Sequence, residues 1–422
     1  MEQALQRVGS WRWWLVGFGL ALAVLGPVRA QPSDTVGVYL TWQADPATTM
    51  TVNWVDLYEE GPTNVWYRVR GDSEWLRATG ARHQVHPSVL RVRRVHLTAL
   101  KPDTEYEFVL SGKSPDERWR RSWFRTMPTE LRRPLRFVTG GDMMHERRWL
   151  DDMNARAGAL DPDFAVLGGD LAYANGVAAS RWIDWIQSWH REARGLGGRL
   201  IPMVVVIGNH EVRGFYNGRK PDDAPYFYGL FALPAQRSYH ALDFGNYLSF
   251  VVLDTGHTQE IGGTQTIWLR DALAARQGQR FLFPVYHYPA YGSLKRTGEA
   301  LPSESGVAPE IRANWVPLFE EFGVTAVFEN DHHAYKRTYP LRKDARDDGN
   351  GIVYLGDGAW GVGTRPMSGT PIWYIERFEA KRHLYQVTLH PQGLVDIAAI
   401  DAEGAVFDRL TLGRERTVPT VP

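Results

Sequence analysis

Short stretches rich in carboxylates, histidines and amides recur along the chain, each directly after an apolar run that is typical of a buried strand. The stretches lie at 140–142, 168–173, 208–211, 286–287 and 330–333. Each one alone also fits a helix cap, a turn or a core histidine. In open α/β folds the loops at the carboxyl ends of the strands form the site, so five such stretches in succession predict one shared cluster. Its hard oxygen and nitrogen donors are of the kind that bind metal ions.

The stretch around Asp170 shows this pattern clearly. Asp170 follows the apolar run 164–167 and two glycines, and Tyr173 lies three residues further on. A carboxylate at this position emerges at the edge of a sheet, and the phenol can turn toward the same point. An aspartate that caps the next helix and a tyrosine packed beneath it would give the same sequence. The other four stretches favour the functional interpretation.

Length and composition limit the possible functions. At 422 residues the chain can form two ordinary domains with full cores. Its formal net charge is zero and 23% of its residues are charged, which gives no electrostatic basis for binding nucleic acid or an anionic membrane. The absence of cysteine excludes disulfides, thiol catalysis and thiolate metal sites. Any metal would therefore have oxygen and nitrogen ligands.

Residues 1–30 have the pattern of a secretory signal peptide. Basic residues precede the apolar run 13–25, and Val28 and Ala30 fit cleavage after Ala30. The run is shorter than the roughly 20 residues of a membrane span, although a retained signal anchor is the alternative. No cysteine follows the cleavage position, which excludes a lipoprotein. We expect a secreted or periplasmic protein with no stable membrane span after cleavage.

Residues 34–127 contain short alternating strands separated by turn residues, which predicts an all-β sandwich. The spacing Leu-x-Pro-x-Thr-x-Tyr-x-Phe over 100–108 resembles the fibronectin type III signature. That resemblance implies a tyrosine corner at Tyr106 and a buried core tryptophan at Trp54. We expect this domain to have a structural role and to be joined to the next by a linker over 127–134.

Residues 134–415 are organised differently, because predicted strands alternate with helical stretches and so predict an α/β sandwich. Tryptophans at helical spacing, at 182, 185 and 189, are more typical of a packed core than of a cofactor site. The glycine-rich segment 356–361 is expected to be a turn near the site and not a source of ligands.

The polar stretches together resemble the purple acid phosphatases, a branch of the calcineurin-like metallophosphoesterases. The motifs that carry the resemblance are Gly-Asp at 141–142, Gly-Asp-x-x-Tyr at 169–173, Gly-Asn-His-Glu at 208–211, His287, and His-Ala-Tyr-x-Arg at 333–337. The resemblance covers nearly all of the chain after Ala30, since that family also carries a fibronectin-like N-terminal domain. It implies a four-layer α/β metallophosphoesterase sandwich as the second domain.

The resemblance also implies a binuclear metal centre, in which two cations neutralise an anionic phosphate ester and activate water. The first metal, ferric iron in this family, would be held by Asp142, Asp170, Tyr173 and His333, with Asp170 bridging to the second. The second ion would be zinc, manganese or ferrous iron, held by Asn209, His287 and the residue at position 331.

Position 331 departs from the family pattern, which has His-x-His where this chain has Asp331, His332 and His333. The motif that begins at His333 places Asp331 at the missing histidine. In an extended segment Asp331 and His333 share a face and His332 points away, whereas a locally twisted backbone would bring in His332 instead. Lys336 stands where the family has an acidic residue, and we expect it to be peripheral.

Several further side chains are expected near the metals. His210 would contact the phosphate or protonate the leaving alkoxide, since an imidazole titrates in the right range, and a supporting hydrogen bond is its alternative role. Glu211 is expected to orient ligands. His145, His257 and Tyr291 are candidates for the substrate rim.

These expectations describe an exported binuclear-metal phosphomonoesterase, similar to acid phosphatases, in which a metal-bound hydroxide attacks the phosphorus of a small phosphate ester. A phosphodiesterase on the same metal centre is the first alternative, because ester type depends on loops such as 214–225 and 291–309. A non-catalytic binding protein with a metal site weakened at Asp331 is the second. The pattern predicts neither the natural substrate nor the oligomeric state.

Overall fold

The computed structural model of the protein describes residues 35–57, 61–111, 114–115, 121–215, 218–294, 300–367 and 371–413. The predicted signal peptide lies outside these residues. Within them, no helix is both long enough and apolar enough to cross a membrane.

The chain forms strands and helices in the alternation expected from its sequence. The strands are β1 (Thr35–Thr41), β2 (Met50–Asp56), β3 (Asn64–Val69), β4 (Leu76–Thr79), β5 (Ala81–Gln84), β6 (Arg91–Leu97), β7 (Glu105–Leu110), β8 (Ser122–Arg125), β9 (Leu135–Gly140), β10 (Phe164–Leu167), β11 (Arg194–Gly195), β12 (Arg199–Leu200), β13 (Met203–Val205), β14 (His240–Phe244), β15 (Leu248–Val252), β16 (Phe281–Val285), β17 (Val327–Phe328), β18 (Tyr335–Thr338), β19 (Leu341–Arg342), β20 (Ala345–Arg346), β21 (Tyr354–Gly356), β22 (Ile375–Glu379), β23 (His383–Leu389), β24 (Leu394–Asp401) and β25 (Val406–Gly413). The α-helices are α1 (Arg147–Ala159), α2 (Ala179–Glu192), α3 (Pro225–Leu230), α4 (Gly263–Ala274), α5 (Ala308–Asn314) and α6 (Val316–Phe322).

The N-terminal region is the predicted all-β sandwich. One layer has the strand order β1-β2-β6-β5 and the other the order β4-β3-β7-β8. Trp54 on β2 is fully buried between them, as expected. The phenol oxygen of Tyr106 accepts the backbone N–H of Lys101 at 2.9 Å, the contact of a tyrosine corner.

The first layer of this sandwich continues into the sheet of the second domain. β1 pairs in parallel with β13, where Thr41 lies opposite Met203. The result is one ten-stranded sheet in the order β25-β24-β23-β9-β10-β13-β1-β2-β6-β5. The two predicted domains therefore share a sheet, in addition to being joined through the segment 127–134.

The second domain is the predicted four-layer sandwich. Its other sheet has the order β14-β15-β16-β17-β21-β18-β22 and faces the ten-stranded sheet. Phe137 lies between the sheets with its ring stacked on that of Phe164 at 5.3 Å and edge-on to three other phenylalanines. Helices α1 and α2 cover the outer face of the first sheet, and α4, α5 and α6 that of the second. The three α2 tryptophans are buried, as expected for core residues.

Parallel pairing of the buried strands brings the polar stretches together. β9, β10 and β13 are adjacent and parallel, with Leu167 opposite both Gly140 and Val205. β16 and β17 are likewise adjacent and parallel, with Val285 opposite Phe328. Of these strands, β10, β13 and β16 are continuous apolar runs, as expected for strands that are buried on both faces. The loops that follow them therefore emerge along one rim of the sandwich.

Candidate metal centre

The loops that follow these strands bring two carboxylates and a histidine into one cluster. Donor atoms of Asp142, Asp170 and His287 all lie within 4.8 Å of one another. All three side chains are buried. Glycine is required beside them, since a Cβ on Gly208 would lie 2.3 Å from Oδ1 of Asp170. The sequence prediction that strand ends converge on one site is correct for these residues.

Tyr173 and His333 complete one half of the cluster. The Tyr173 hydroxyl donates to Oδ1 of Asp142 at 3.0 Å and lies 2.9 Å from Nε2 of His333. The same His333 nitrogen is 3.2 Å from Oδ1 of Asp142. Three donor atoms from three different loops therefore converge within hydrogen-bond distance, on the side predicted for the first metal.

His287 is at the centre of the other half. Its Nε2 lies 3.4 Å from Oδ1 of Asp170, 3.2 Å from Oδ1 of Asn209 and 3.7 Å from Oδ1 of Asp331. Its Nδ1 is 2.9 Å from the carbonyl oxygen of Gly168, which fixes the ring orientation. These four side chains are the ones expected for the second metal.

Asp331 faces this cluster, whereas His332 reaches it only through Asp331, whose Oδ2 lies 3.6 Å from Nε2 of His332. Nδ1 of His332 lies 3.1 Å from the backbone nitrogens of both Ser293 and Leu294. The choice of Asp331 over His332 as a ligand stays a prediction, but the extended backbone from which it was argued is wrong. Asp331 and His333 have φ angles of +80° and +58°, so the segment is not extended.

Left-handed backbone conformations concentrate at this site. Asp142, Asp170, Tyr173, Asp331 and His333 have φ angles of +59°, +53°, +51°, +80° and +58°. Non-glycine residues in this region are uncommon, and each such conformation costs about 1–3 kcal/mol. Strain of this kind persists where the surrounding structure over-determines it, which is typical of functional sites.

The charges of the site depend on one another. Burial opposes ionisation of Asp170, but His287 and His210 outweigh it and keep the Asp170 pKa below its usual range. Burial likewise disfavours the charged form of His287, yet the carboxylates around it raise its pKa. Burial, Asp142 and Asp170 together raise the pKa of Tyr173, so the phenol stays protonated unless a cation lies against it.

His210 lies at the open side of the cluster. Its backbone N–H donates to Oδ1 of Asp170 at 2.8 Å, and its ring lies on that of Tyr173 with centroids 4.3 Å apart. Nδ1 of His210 contacts the side-chain oxygen of Asn175, a residue that the sequence prediction missed. Asn175 has a φ of +50°, a conformation that asparagine tolerates. Its amino-acid type was the only feature of the sequence that could have indicated its role.

Glu211 is buried and contacts backbone instead of the donor cluster. Its carboxylate accepts the N–H groups of Gly208 and Asp170, both at 2.8 Å, and of Leu171 at 2.9 Å. It therefore ties together the two loops that carry Asp170 and Asn209. This is the orienting position expected from the sequence.

The three rim candidates have different positions. His145 lies at the edge of the site, with its ring 4.7 Å from that of Tyr173, and burial lowers its pKa to about 4. His257 is fully buried behind His287. Tyr291 is buried, and its hydroxyl donates to Asp344. The expectation of a rim position is therefore wrong for His257 and Tyr291, because their side chains face the interior.

Lys336 is not peripheral, contrary to expectation. Its side chain is fully buried, contacts the Glu329 carboxylate and the Tyr291 carbonyl oxygen, and lies 3.0 Å from Oδ1 of Asp357. Burial disfavours ionisation of Asp357, but Lys336 and His332 outweigh it and lower the Asp357 pKa to about 2. Asp357 belongs to the predicted glycine-rich turn, which does lie beside the site.

The donor set fits a metal ion. Among the described residues, the ion-pair partners of Asp142 and Asp170 are all histidines, with no lysine or arginine to balance the carboxylates. Buried carboxylates require a compensating charge, which a metal ion supplies. Oxygen and imidazole donors of this kind suit iron, zinc or manganese.

Comparison with protein families gives two matches. Residues 35–126 match the family described as "Purple acid Phosphatase, N-terminal domain". Residues 141–335 match the family described as "Calcineurin-like phosphoesterase". Between them the two matches include the N-terminal sandwich and every residue of the donor cluster.

Similar curated proteins occur in bacteria and plants. An uncharacterised protein of Mycobacterium tuberculosis is 28% identical over 352 residues, which are 72% of this chain and 62% of that protein. Purple acid phosphatase 18 of Arabidopsis thaliana is 23% identical over 347 residues, 78% of this chain and 73% of that protein. The chain thus spans less than two thirds of the length of the mycobacterial relative.

Solved structures share the fold. Purple acid phosphatase PPD1 from yellow lupin seeds superposes with a TM-score of 0.75 at 17% identity, covering 90% of this chain and 74% of that one. A structure of PhoD superposes with a TM-score of 0.65 at 14% identity, covering 89% and 88% of the two chains. At these identities the similarity concerns the fold alone.

Proposed function

Because the chain belongs to the purple acid phosphatase branch of the calcineurin-like metallophosphoesterases, a family of hydrolases, we propose that it hydrolyses phosphomonoesters at a centre holding two metal ions. The observation that carries the proposal is the buried cluster in which Asp142, Asp170 and His287 present donors within 4.8 Å of one another. The carboxylates there have only histidines as described ion-pair partners.

The proposed ligands divide into two sets that share one carboxylate. Asp142, Asp170, Tyr173 and His333 would hold the first metal, and Asp170, Asn209, His287 and Asp331 would hold the second. When bound, the two ions supply charge neutralisation for the phosphate and an activated water for in-line displacement. Asp170 would be shared by both ions, which is supported by its position within 4.8 Å of the donor atoms of both Asp142 and His287.

Tyr173 supports ferric iron as the first ion. Burial and the carboxylates of Asp142 and Asp170 raise the pKa of the phenol, so only a strongly Lewis-acidic ion in contact with it would favour the phenolate. A phenolate on ferric iron gives the visible absorption expected from the family resemblance. The second ion is zinc, manganese or ferrous iron.

His210 is proposed to contact the phosphate and to deliver a proton to the leaving alkoxide. The Asn175 side-chain oxygen faces Nδ1, which places one ring proton there and leaves Nε2 for the substrate. Proton delivery from Nε2 therefore uses the doubly protonated imidazolium, which becomes neutral with its remaining proton on Nδ1 as the alkoxide leaves. Nε2 is 3.8 Å from Oδ2 of Asp170, close to the proposed bridge. A partly exposed imidazole at the open side of a buried cluster is suited to proton transfer.

Metal content and the visible spectrum test the metal centre. We expect two metal ions per chain and a visible band that disappears in Tyr173→Phe, whereas Tyr67→Phe in the N-terminal sandwich serves as the matched control and leaves the band in place. A band that survives Tyr173→Phe unchanged would refute the phenolate assignment.

Comparison of two substrates tests the ester class. The metal-replete protein is expected to hydrolyse nitrophenyl phosphate faster than bis(nitrophenyl) phosphate. The reverse order would favour the phosphodiesterase alternative, and no turnover of either substrate would favour a binding protein.

Export is part of the proposal and rests on the pattern of residues 1–30. Expression of the full chain in a secreting bacterial host is expected to give an exported protein that begins at Gln31. Intact mass measurement checks this, and an uncleaved chain in the membrane fraction would indicate the signal-anchor alternative.

A further inference from the structure

A group of three buried, charged side chains lies directly behind the proposed second metal position. Glu329, Lys336 and Asp357 are all buried, and Lys336 contacts both carboxylates. Buried ions are costly unless each is paired and hydrogen-bonded. Lys336 therefore fixes the position of Asp357 by pairing with its Oδ1 at 3.0 Å.

The other oxygen of Asp357 faces His332. Oδ2 accepts the backbone N–H of Ser293 at 2.7 Å and its hydroxyl at 2.6 Å, and lies 3.5 Å from Nδ1 of His332. The N–H groups of Ser293 and Leu294 lie 3.1 Å from the same ring nitrogen. The His332 ring is thus held at Nδ1 by the N–H groups of Ser293 and Leu294, and Asp357 fixes Ser293 by accepting its N–H and its hydroxyl.

Asp331 stands at the position where the family resemblance implies a histidine. Its Oδ1 lies 3.7 Å from Nε2 of His287, and its Oδ2 lies 3.6 Å from Nε2 of His332. The second position then has carboxylate or amide oxygens from Asp170, Asn209 and Asp331 and one imidazole nitrogen. Oxygen-rich sets suit manganese, whereas imidazole suits zinc.

We propose that Asp331 shifts the selectivity of the second metal position from zinc toward manganese, and that Asp357, fixed by Lys336, maintains this selectivity by holding His332 out of reach. The inference rests on the proposed binuclear centre and concerns relative affinity, because zinc binds most sites more tightly than manganese in absolute terms. Asp331 acts as a ligand, and Asp357 and Lys336 act as positioning residues.

The test is a competition between Mn²⁺ and Zn²⁺ for the second position of the full chain, with iron in the first. Equilibrium dialysis followed by elemental mass spectrometry gives the ratio of the two dissociation constants, and the electron paramagnetic resonance spectrum of bound Mn²⁺ gives a second readout. Asp331→His is expected to shift the ratio toward zinc by about tenfold or more, because a second imidazole replaces a carboxylate.

The positioning role is tested by Asp357→Asn. Releasing His332 is expected to shift the ratio in the same direction by about tenfold, and the double variant Asp357→Asn/His332→Ala is expected to restore the original ratio. A merely structural role would not give this restoration. Asp408→Asn is the matched control. Asp408 is also a buried carboxylate, but it is bonded to Arg337 and does not belong to the group of Glu329, Lys336 and Asp357.

The outcomes separate the two proposals. A wild-type chain that binds fewer than two metals would overturn the proposed function and this inference with it. Two bound metals with a ratio unchanged in Asp331→His would overturn this inference alone, as would a shift of equal size in Asp408→Asn. Circular dichroism shows whether Asp357→Asn folds. If it does not, Asp331→His still tests the metal selectivity. His332→Ala alone then tests whether His332 is excluded from the second position, because its exclusion requires an unchanged ratio of dissociation constants.

Discussion

His383 makes the stability of the fold depend on pH, and one substitution should remove its contribution to that dependence. The side chain is buried at the start of β23, with its ring edge-on to Tyr335 at 5.3 Å and to Tyr385 at 5.2 Å. Its Nδ1 lies 3.0 Å from the carbonyl oxygen of Lys381. Burial lowers the pKa of His383 from 6.5 to about 4. Phenylalanine would keep the aromatic contacts and remove the titrating nitrogen.

The sign follows from proton binding. The folded pKa is below the unfolded value, so the contribution of His383 is fully present above pH 6.5 and is lost as the pH falls toward 4. Between pH 7.5 and pH 4.5 this loss amounts to about 2.5 kcal/mol. At pH 7.5, His383→Phe loses one hydrogen bond, which costs about 1 kcal/mol. The variant should therefore be less stable at pH 7.5 and more stable at pH 4.5, with the two curves crossing near about pH 6.

Urea unfolding of both proteins at pH 7.5, 6.0 and 4.5 measures this difference. His240, which is also buried with a pKa lowered to about 4, is present in both proteins and cancels in the comparison. A difference between variant and parent that is the same at all three pH values would refute the assignment of His383 as a neutral buried imidazole.

Phe137→Ala should lower the free energy of unfolding by about 3–5 kcal/mol at both pH 7.5 and pH 4.5, because it leaves a cavity in the core between the sheets and removes no titrating group. Urea unfolding at both pH values measures this. Tyr106→Phe should cost about 1 kcal/mol through loss of the hydrogen bond from Lys101, with metal content unchanged by elemental analysis. Asn175→Ala should lower turnover of nitrophenyl phosphate by about 10–100-fold, because the His210 ring loses its orienting contact, while both metals remain bound.

The elements that carry the site follow from the local amino-acid pattern. β10 and β16 are short apolar runs followed within three residues by Asp170 and by His287, and this local order predicts both the strands and the rim where they end. The donors Asp142, Asp170 and His287 could be named in advance because strand ends in such sandwiches converge whatever the details of packing.

Pairing between distant strands depended on the tertiary structure. Nothing in the local pattern of β1 indicates that it pairs with β13, because Thr41 and Met203 are brought together only by the packing of both domains. Asn175 is similar, since its contact with His210 depends on how two loops from different strands meet.

Tertiary contacts also set the positions of two neighbouring side chains at the donor cluster. The choice between Asp331 and His332 depends on left-handed backbone at 331 and on Asp357, which lies on a separate loop. Lys336 has a charged side chain that sequence reasoning places at the surface, and only the carboxylates of Glu329 and Asp357 make its burial possible. Local pattern therefore fixed where the site lies, whereas contacts between residues far apart in the chain fixed how its second half is built.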